Sequence, residues 1–288
     1  MEFVQPIPFK EALDKIGTRS PVGAMLRSDQ WARVPTAIRE KAFFSATIED
    51  ARFLEETKGL ITSFLESARE TVTGPDGKER RALKVGSRAE FIDQARSFAI
   101  ERGLGPLDPE DAGTMRDIQS EQRLALIFDT QTKAANDHGY WKQGQDPDVL
   151  DEFPAQRFIR VLDVKTPRQR HQEFEGEVRL KSDLEFWLSL NDPADGGFGV
   201  PWGPWGFNSG MDVEDVDRAE AESLGLLEPG EKVEPVERDL NDHLEAGIRS
   251  LSPEMSDWLQ SKLGDQVEIS GGTVKWLKAE GRPPNSQP

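Results

Sequence analysis

Twelve residues, Gly196-Gly-Phe-Gly-Val-Pro-Trp-Gly-Pro-Trp-Gly-Phe207, restrict what this chain can fold into more than any other stretch. Proline lacks an N–H and fixes φ, and glycine weakens regular structure, so neither a helix nor a central strand fits here. Such a run has to be held by packing. Its two tryptophans, Trp202 and Trp205, fit a rigid packed cap, each buried ring contributing about 3 kcal/mol or more on the scale of core truncations. Exposure of the two rings as partner anchors is the alternative.

Upstream, Leu124, Phe128, Gln131, Ala135 and His138 recur at steps of four, three, four and three, with Ile127 and Ala134 beside them. That spacing is one face of a long helix. Gln122, Asp129, Lys133 and Asp137 fall on the opposite face, expected to be the polar side of a half-buried helix. Gly139 is expected to end it. Arg157-Phe-Ile-Arg-Val-Leu-Asp163 reads as a strand, Thr166-Pro-Arg-Gln-Arg-His171 as a loop, and Leu184-Glu-Phe-Trp187 as a short helix.

The N-terminal third reads as helices. Pro8 opens one that Gly17 ends, and Ser20-Pro21 and Pro35 open two more, the last running through Ile38 to Phe43. Thr47 is placed to cap a long amphipathic helix reaching about Thr71 through Leu54, Ile61, Leu65 and Ala68. Thr73-Gly-Pro-Asp-Gly77 marks a turn into a short hairpin with Ala82, Leu83 and Val85. Ser87-Arg-Ala-Glu90 is a capping box for a helix to Gly103. Beyond Phe207, Val213 to Leu224 reads as an acidic helix and Ser252-Pro-Glu-Met opens another. Val267 to Trp276 has hairpin form around Gly271-Gly272, and residues 281–288 are an extended or disordered tail. The sum is an α+β fold, predominantly α-helical. It divides into an N-terminal helical region (1–105), a mixed core with short strands (106–210) and an acidic C-terminal region with helix, hairpin and tail (211–288).

Composition narrows the chemistry. The 288 residues include no cysteine, which excludes disulfides and thiolate metal sites. No apolar run of about 18 residues is present to span a membrane, and Met1-Glu-Phe-Val-Gln-Pro lacks the form of a signal peptide, so the expected compartment is cytoplasmic. The net charge of −17 argues against general nucleic-acid binding. That charge is uneven: residues 211–240 hold 11 acids and three bases, whereas 156–181 hold seven bases and four acids. Arg157, Arg160, Lys165, Arg168 and Arg170 in the second segment are therefore the candidate contacts for a partner or for phosphate. His138, His171 and His243 show no metal-ligand spacing, and no nucleophile elbow or phosphate-binding loop occurs. A metal site built from His138, His171 and an acid such as Asp129 is one reading. The other places His138 at a helix C-terminus, where a protonated imidazole gains roughly 0.3–1 kcal/mol, and makes His171 a hydrogen-bonded loop residue.

The order Asp129-Thr-Gln-Thr-Lys-Ala-Ala-Asn136, Arg157 to Asp163, Arg170-His171, Gly176, Phe186-Trp187 and the Pro/Gly/Trp run resembles the head-morphogenesis domain of tailed phages, and within it the F-like minor head proteins of Mu-type phages. Pro8-Phe-Lys-Glu-Ala-Leu-Asp14, Trp31 and Ala42-Phe-Phe-Ser-Ala46 are similar to that family's opening segment, so the likeness spans roughly residues 6 to 207. It implies structural roles for Asn136, His138, Gly139, Arg170, His171, Gly176, Trp187, Trp202 and Trp205. It also implies a minor capsid protein without cofactor or catalytic activity, oligomeric in the virion. Such a protein meets the portal, the major capsid or the scaffold protein, with packaged double-stranded DNA as a further contact. It resides in the head interior or at the portal vertex, after a stay in the host cytoplasm. Many members end the domain with Trp-Gly and a Cys-x-Cys pair; here Trp205-Gly206 is followed by Phe207-Asn208, so no metal or redox role carries over. Two other readings stay open: a metal-assisted hydrolase or toxin-related enzyme, and a DNA-binding module.

Overall fold

A computed structural model of the chain describes residues 10–67, 70–73, 79–82, 87–236, 245–247, 257, 259–261, 267–270 and 273–276. The fold is α+β and predominantly helical. Chain order gives α1 (Lys10–Gly17), β1 (Ser20–Pro21), α2 (Ser28–Trp31), α3 (Thr36–Lys41), β2 (Ala42–Phe43), α4 (Ala51–Ser67), β3 (Glu70–Thr73), β4 (Glu79–Ala82) and α5 (Ser87–Glu101). There follow α6 (Glu121–Gln143), α7 (Pro147–Glu152), β5 (Ala155–Arg160), α8 (Gln169–Glu173), β6 (Val178–Leu180), α9 (Leu184–Leu190), β7 (Met211–Val216), α10 (Arg218–Ser223), β8 (Glu245–Gly247), β9 (Val267–Ser270) and β10 (Thr273–Trp276).

The helix at the centre is α6. Ser120 caps it by accepting from the Arg123 N–H at 3.2 Å. Leu124, Ile127, Phe128 and Ala135 are buried, as the periodicity requires, and share a core with Ile16 of α1, Phe53, Leu54 and Ile61 of α4, and Phe91, Ile92, Ala95 and Ala99 of α5. Phe128 closes this core, with Phe64 edge-on at 4.6 Å and Phe91 tilted at 4.9 Å between ring centres. The second unit is the antiparallel sheet β6–β5–β7. In it Ala155 stands opposite both Leu180 and Val216, and Arg160 opposite Met211. One face of that sheet buries Phe158 with Trp187, Leu190, Trp205 and Met211.

Several boundaries differ from the sequence reading, each for a local reason. Gly139 does not end α6. The helix runs a further turn because Trp141 is buried against Trp202, and only Gly144 closes it, its N–H donating to Tyr140 O at 2.9 Å. The cap of α4 is Asp50, whose carboxylate accepts from the Phe53 N–H at 2.9 Å, rather than Thr47, which sits at φ 62°. Ala42-Phe43 leaves the helix after Lys41 to pair in parallel with Ser20-Pro21. The largest correction is residues 213–224. Val213 and Val216 lie in β7, matched to Phe158 and Ala155 of β5, and the helix begins only after Asp217, which accepts from the Glu220 N–H at 2.8 Å. The boundary drawn at 210/211 thus falls at the first residue of a strand that completes the central sheet. Contacts of α6 with α4 and α5 likewise span the boundary at 105/106.

At the C-terminus β9 and β10 pair antiparallel with Ser270 opposite Thr273, the register expected for a two-residue connection. The Pro8-Phe9 helix start, Ala68, the 73–77 turn beyond Thr73, Leu83, Val85, most of the helix from Ser252, Gly271-Gly272 and the 281–288 tail lie outside the described residues.

Candidate functional site

The Gly/Pro/Trp run folds back over the C-terminal half of α6 and is fastened by two side chains. Asn191, fully buried just after α9, donates from Nδ2 to the carbonyls of Val200 (3.1 Å), Trp202 (2.8 Å) and Pro204 (3.2 Å). Its Oδ1 accepts from the Phe198 N–H at 2.7 Å. Arg168 works from the other side. Its guanidinium donates to the carbonyls of Asp195 (3.0 Å), Gly196 (3.4 Å), Trp205 (3.4 Å) and Phe207 (3.1 Å). These carbonyls have no sheet or helix to receive them, so the two fans of donors replace regular structure. Two glycines permit the approach. A Cβ at Gly197 would collide with the backbone of Asn191. At Gly206, where φ is 91°, it would fall 2.6 Å from Gly196 O and from Arg168 Nη2.

Both tryptophans of the run are buried. Trp202 lies 4.5 Å from Trp141 and 5.1 Å from His138 between ring centres. Trp205 meets Phe158 edge-on at 5.3 Å and Trp187 at 5.9 Å. The packed-cap reading of the run therefore holds, and the exposed-anchor reading does not.

Of the residues singled out by the family resemblance, His138 and Trp202 fall in the first of these aromatic groups and His171, Trp187 and Trp205 in the second. His138 packs with Trp202, and the buried Gly139 lies next to it within α6. Burial, joined by the nearby Lys15 and Arg19, depresses the His138 pKa to about 3. It is therefore neutral, contrary to a protonated imidazole at a helix end. The helix continues past it, and no end dipole is available. His171 is buried on α8, in contact with Phe158 at 5.4 Å, and its Nε2 meets Leu190 O at 2.9 Å. Burial lowers its pKa as well, the Leu190 carbonyl opposing. Trp187 donates from Nε1 to Leu180 O at 2.9 Å, and the Gly176 N–H donates to Phe158 O at 2.7 Å. Asn136 is half-buried on α6. Among the described residues no cluster of three or more His, Asp or Glu is arranged to hold a metal ion.

The basic segment is mostly engaged within the protein. Arg157 bridges Glu214 (2.7 Å) and Glu220, joining β5, β7 and α10. Arg160 pairs with Glu175 at 2.8 Å. Arg168 is spent on the loop carbonyls, and Arg170 lies over the Phe174 ring at 5.4 Å. Lys165 is exposed.

Two charged clusters went unnoticed in the sequence. In the first, Lys15 of α1 and Glu40 of α3 form a buried ion pair, and Arg19 stands 3.7 Å from Glu40 while donating to Gln131 Oε1 at 2.6 Å. Burial disfavours the Glu40 carboxylate, but Lys15 and Arg19 outweigh it and hold its pKa at about 2. In the second, Lys133 of α6 lies 3.0 Å from both Asp137 and Asp212 of β7. Burial raises the Asp137 pKa to about 6 despite Lys133, and the Asp212 charge adds to the rise. Beside it, Lys181 pairs with Asp215 at 2.8 Å. The face of α6 assigned to solvent is thus met by β7 at Lys133 and by Gly203 of the Gly/Pro/Trp run at Asp137, and stays exposed only at Gln122 and Asp129. Asn191 also escaped notice, since one asparagine after a short helix carries no pattern.

Comparisons with protein-family models, with curated proteins and with solved structures found no match for this chain. No helix among the described residues is long and apolar enough to cross a membrane.

Proposed function

We propose that the chain is a minor head protein of a tailed phage or prophage, acting in head assembly by docking on the portal, capsid or scaffold protein. The observation that carries this reading is how the motif residues are used. His138, His171, Trp187, Trp202 and Trp205 are all buried in ring contacts that lock the 193–207 loop onto α6 and the sheet. Groups committed to holding a loop in shape suit a protein that acts through surface fit rather than turnover. The internal pairing of Arg157 and Arg160 and the loop duty of Arg168 favour docking over phosphate binding, because phosphate affinity needs free cations.

Co-expression of the tagged chain with the portal, scaffold and major capsid proteins encoded beside it tests the proposal. At least one of the three is expected to co-elute through affinity and size-exclusion steps. Failure of all three to bind the folded chain overturns it.

A further inference from the structure

The 193–207 loop, the segment from Arg19 to Ala46 and the middle of α6 surround a cavity of about 380 Å³. That volume lies within the range of small-ligand sites. Its apolar lining includes Trp31, Phe44, Ile127, Phe198 and Trp202, with Trp31 stacked on Phe44 at 4.0 Å.

The charged residues of the lining are Arg19, Arg39, Arg123, Asp29 and Glu40. Both carboxylates already have cations, Asp29 from Arg27 at 3.1 Å and Glu40 from Lys15. The arginines are less well served. Arg123 donates from Nη2 to Ser45 Oγ (2.8 Å) and Ala46 O (2.7 Å), both neutral. Arg39 donates to Val34 O (2.8 Å), Thr36 Oγ1 (3.0 Å) and Phe198 O (3.4 Å), again neutral. Arg19 shares Glu40 with Lys15, and its Nε is buried with no hydrogen-bond partner among the described residues. Burial pulls the pKa of all three guanidiniums down, which is what incomplete compensation by carboxylates produces. Buried cations that meet mostly neutral acceptors, beside an apolar wall, are costly unless an anion meets them.

We infer that this cavity binds a small amphipathic anion, a carboxylate on an aliphatic or aromatic body. The body lies along the Trp31, Phe44 and Trp202 wall, and the carboxylate is drawn to the arginine lining. The inference does not rest on the docking reading and holds with or without a head partner.

Titration of the full chain with decanoate, and with 1-decanol as its neutral counterpart, tests it, with tryptophan fluorescence and calorimetry as readouts. Saturable one-site binding of decanoate is expected, with decanol at least ten-fold weaker. Ala134→Phe places a ring in the lining and is expected to weaken decanoate at least ten-fold while leaving far-UV circular dichroism unchanged. Decanol binding as tightly as decanoate, no saturable decanoate binding, or full decanoate affinity in Ala134→Phe would each overturn the inference. Should Ala134→Phe fail to fold, the comparison of the two ligands on the unaltered protein decides.

Discussion

Asn191 supports a twelve-residue run that has almost no regular hydrogen bonding of its own, and it does so from a single side chain. Truncation to alanine leaves three carbonyls and one N–H without their partner in a buried place. Asn191→Ala is expected to lower stability by about 3–5 kcal/mol, read from urea unfolding. His138 supplies a second residue-scale prediction. Its folded pKa of about 3 lies below the ordinary 6.5, so between these values the unfolded chain binds the extra proton. The stability due to neutral His138 is complete above about pH 6.5 and is lost as pH falls toward 3. Asp137 works in the opposite sense, since its pKa is raised from 3.8 to about 6: its burial penalty disappears as pH falls through that window. His138→Gln removes the first effect and keeps the second, so its stability should decline less steeply than the parent's from pH 6.5 to pH 4 in urea titrations at each pH. The sequence placed His138 on the right face but gave it the wrong charge. Its charge depends on where α6 ends and on which cations α1 brings near, and both are set by tertiary packing.

Among the elements, α6 was the most legible, because a strong 3.6-residue period survives any neighbour. Its polar side was not, because β7 meets Lys133 and Gly203 covers Asp137, and nothing local announces either contact. A different non-local contact explains why Val213 to Val216 misled: four acids around two valines suit a helix by composition, and only pairing with β5 makes them a strand. The seam between helix and sheet yields its own prediction. Replacing Lys133 by methionine leaves Asp137 and Asp212 as two partly buried like charges without their shared cation. Lys133→Met is expected to destabilise by about 2–4 kcal/mol at pH 7.5. Lys133 holds the Asp137 pKa down to about 6, so without it Asp137 takes up a proton at a higher pH, and the loss should shrink as pH falls from 7.5 toward 6. Unfolding midpoints at pH 7.5 and 5 check both statements.

On the scale of the whole molecule, helical core, sheet and loop are joined by packing that ignores the expected domain limits, while the overall class, α+β and mainly helical, was readable from periodicity and turn residues. The charge distribution was readable too, but not its use: five bases in one segment look like a phosphate-binding stripe until Glu214, Glu220 and Glu175 are seen to occupy Arg157 and Arg160, and loop carbonyls to occupy Arg168. Retention on double-stranded DNA should therefore be weak with a shallow salt slope, and Lys165→Glu should change it little. The claim at the centre is that the chain works as a structural part of a phage head. Quantitative mass spectrometry of purified heads from the phage or induced prophage that encodes it addresses this most directly. The chain is expected in those heads at a fixed stoichiometry to the portal protein; heads that assemble normally and contain none of it would contradict the account.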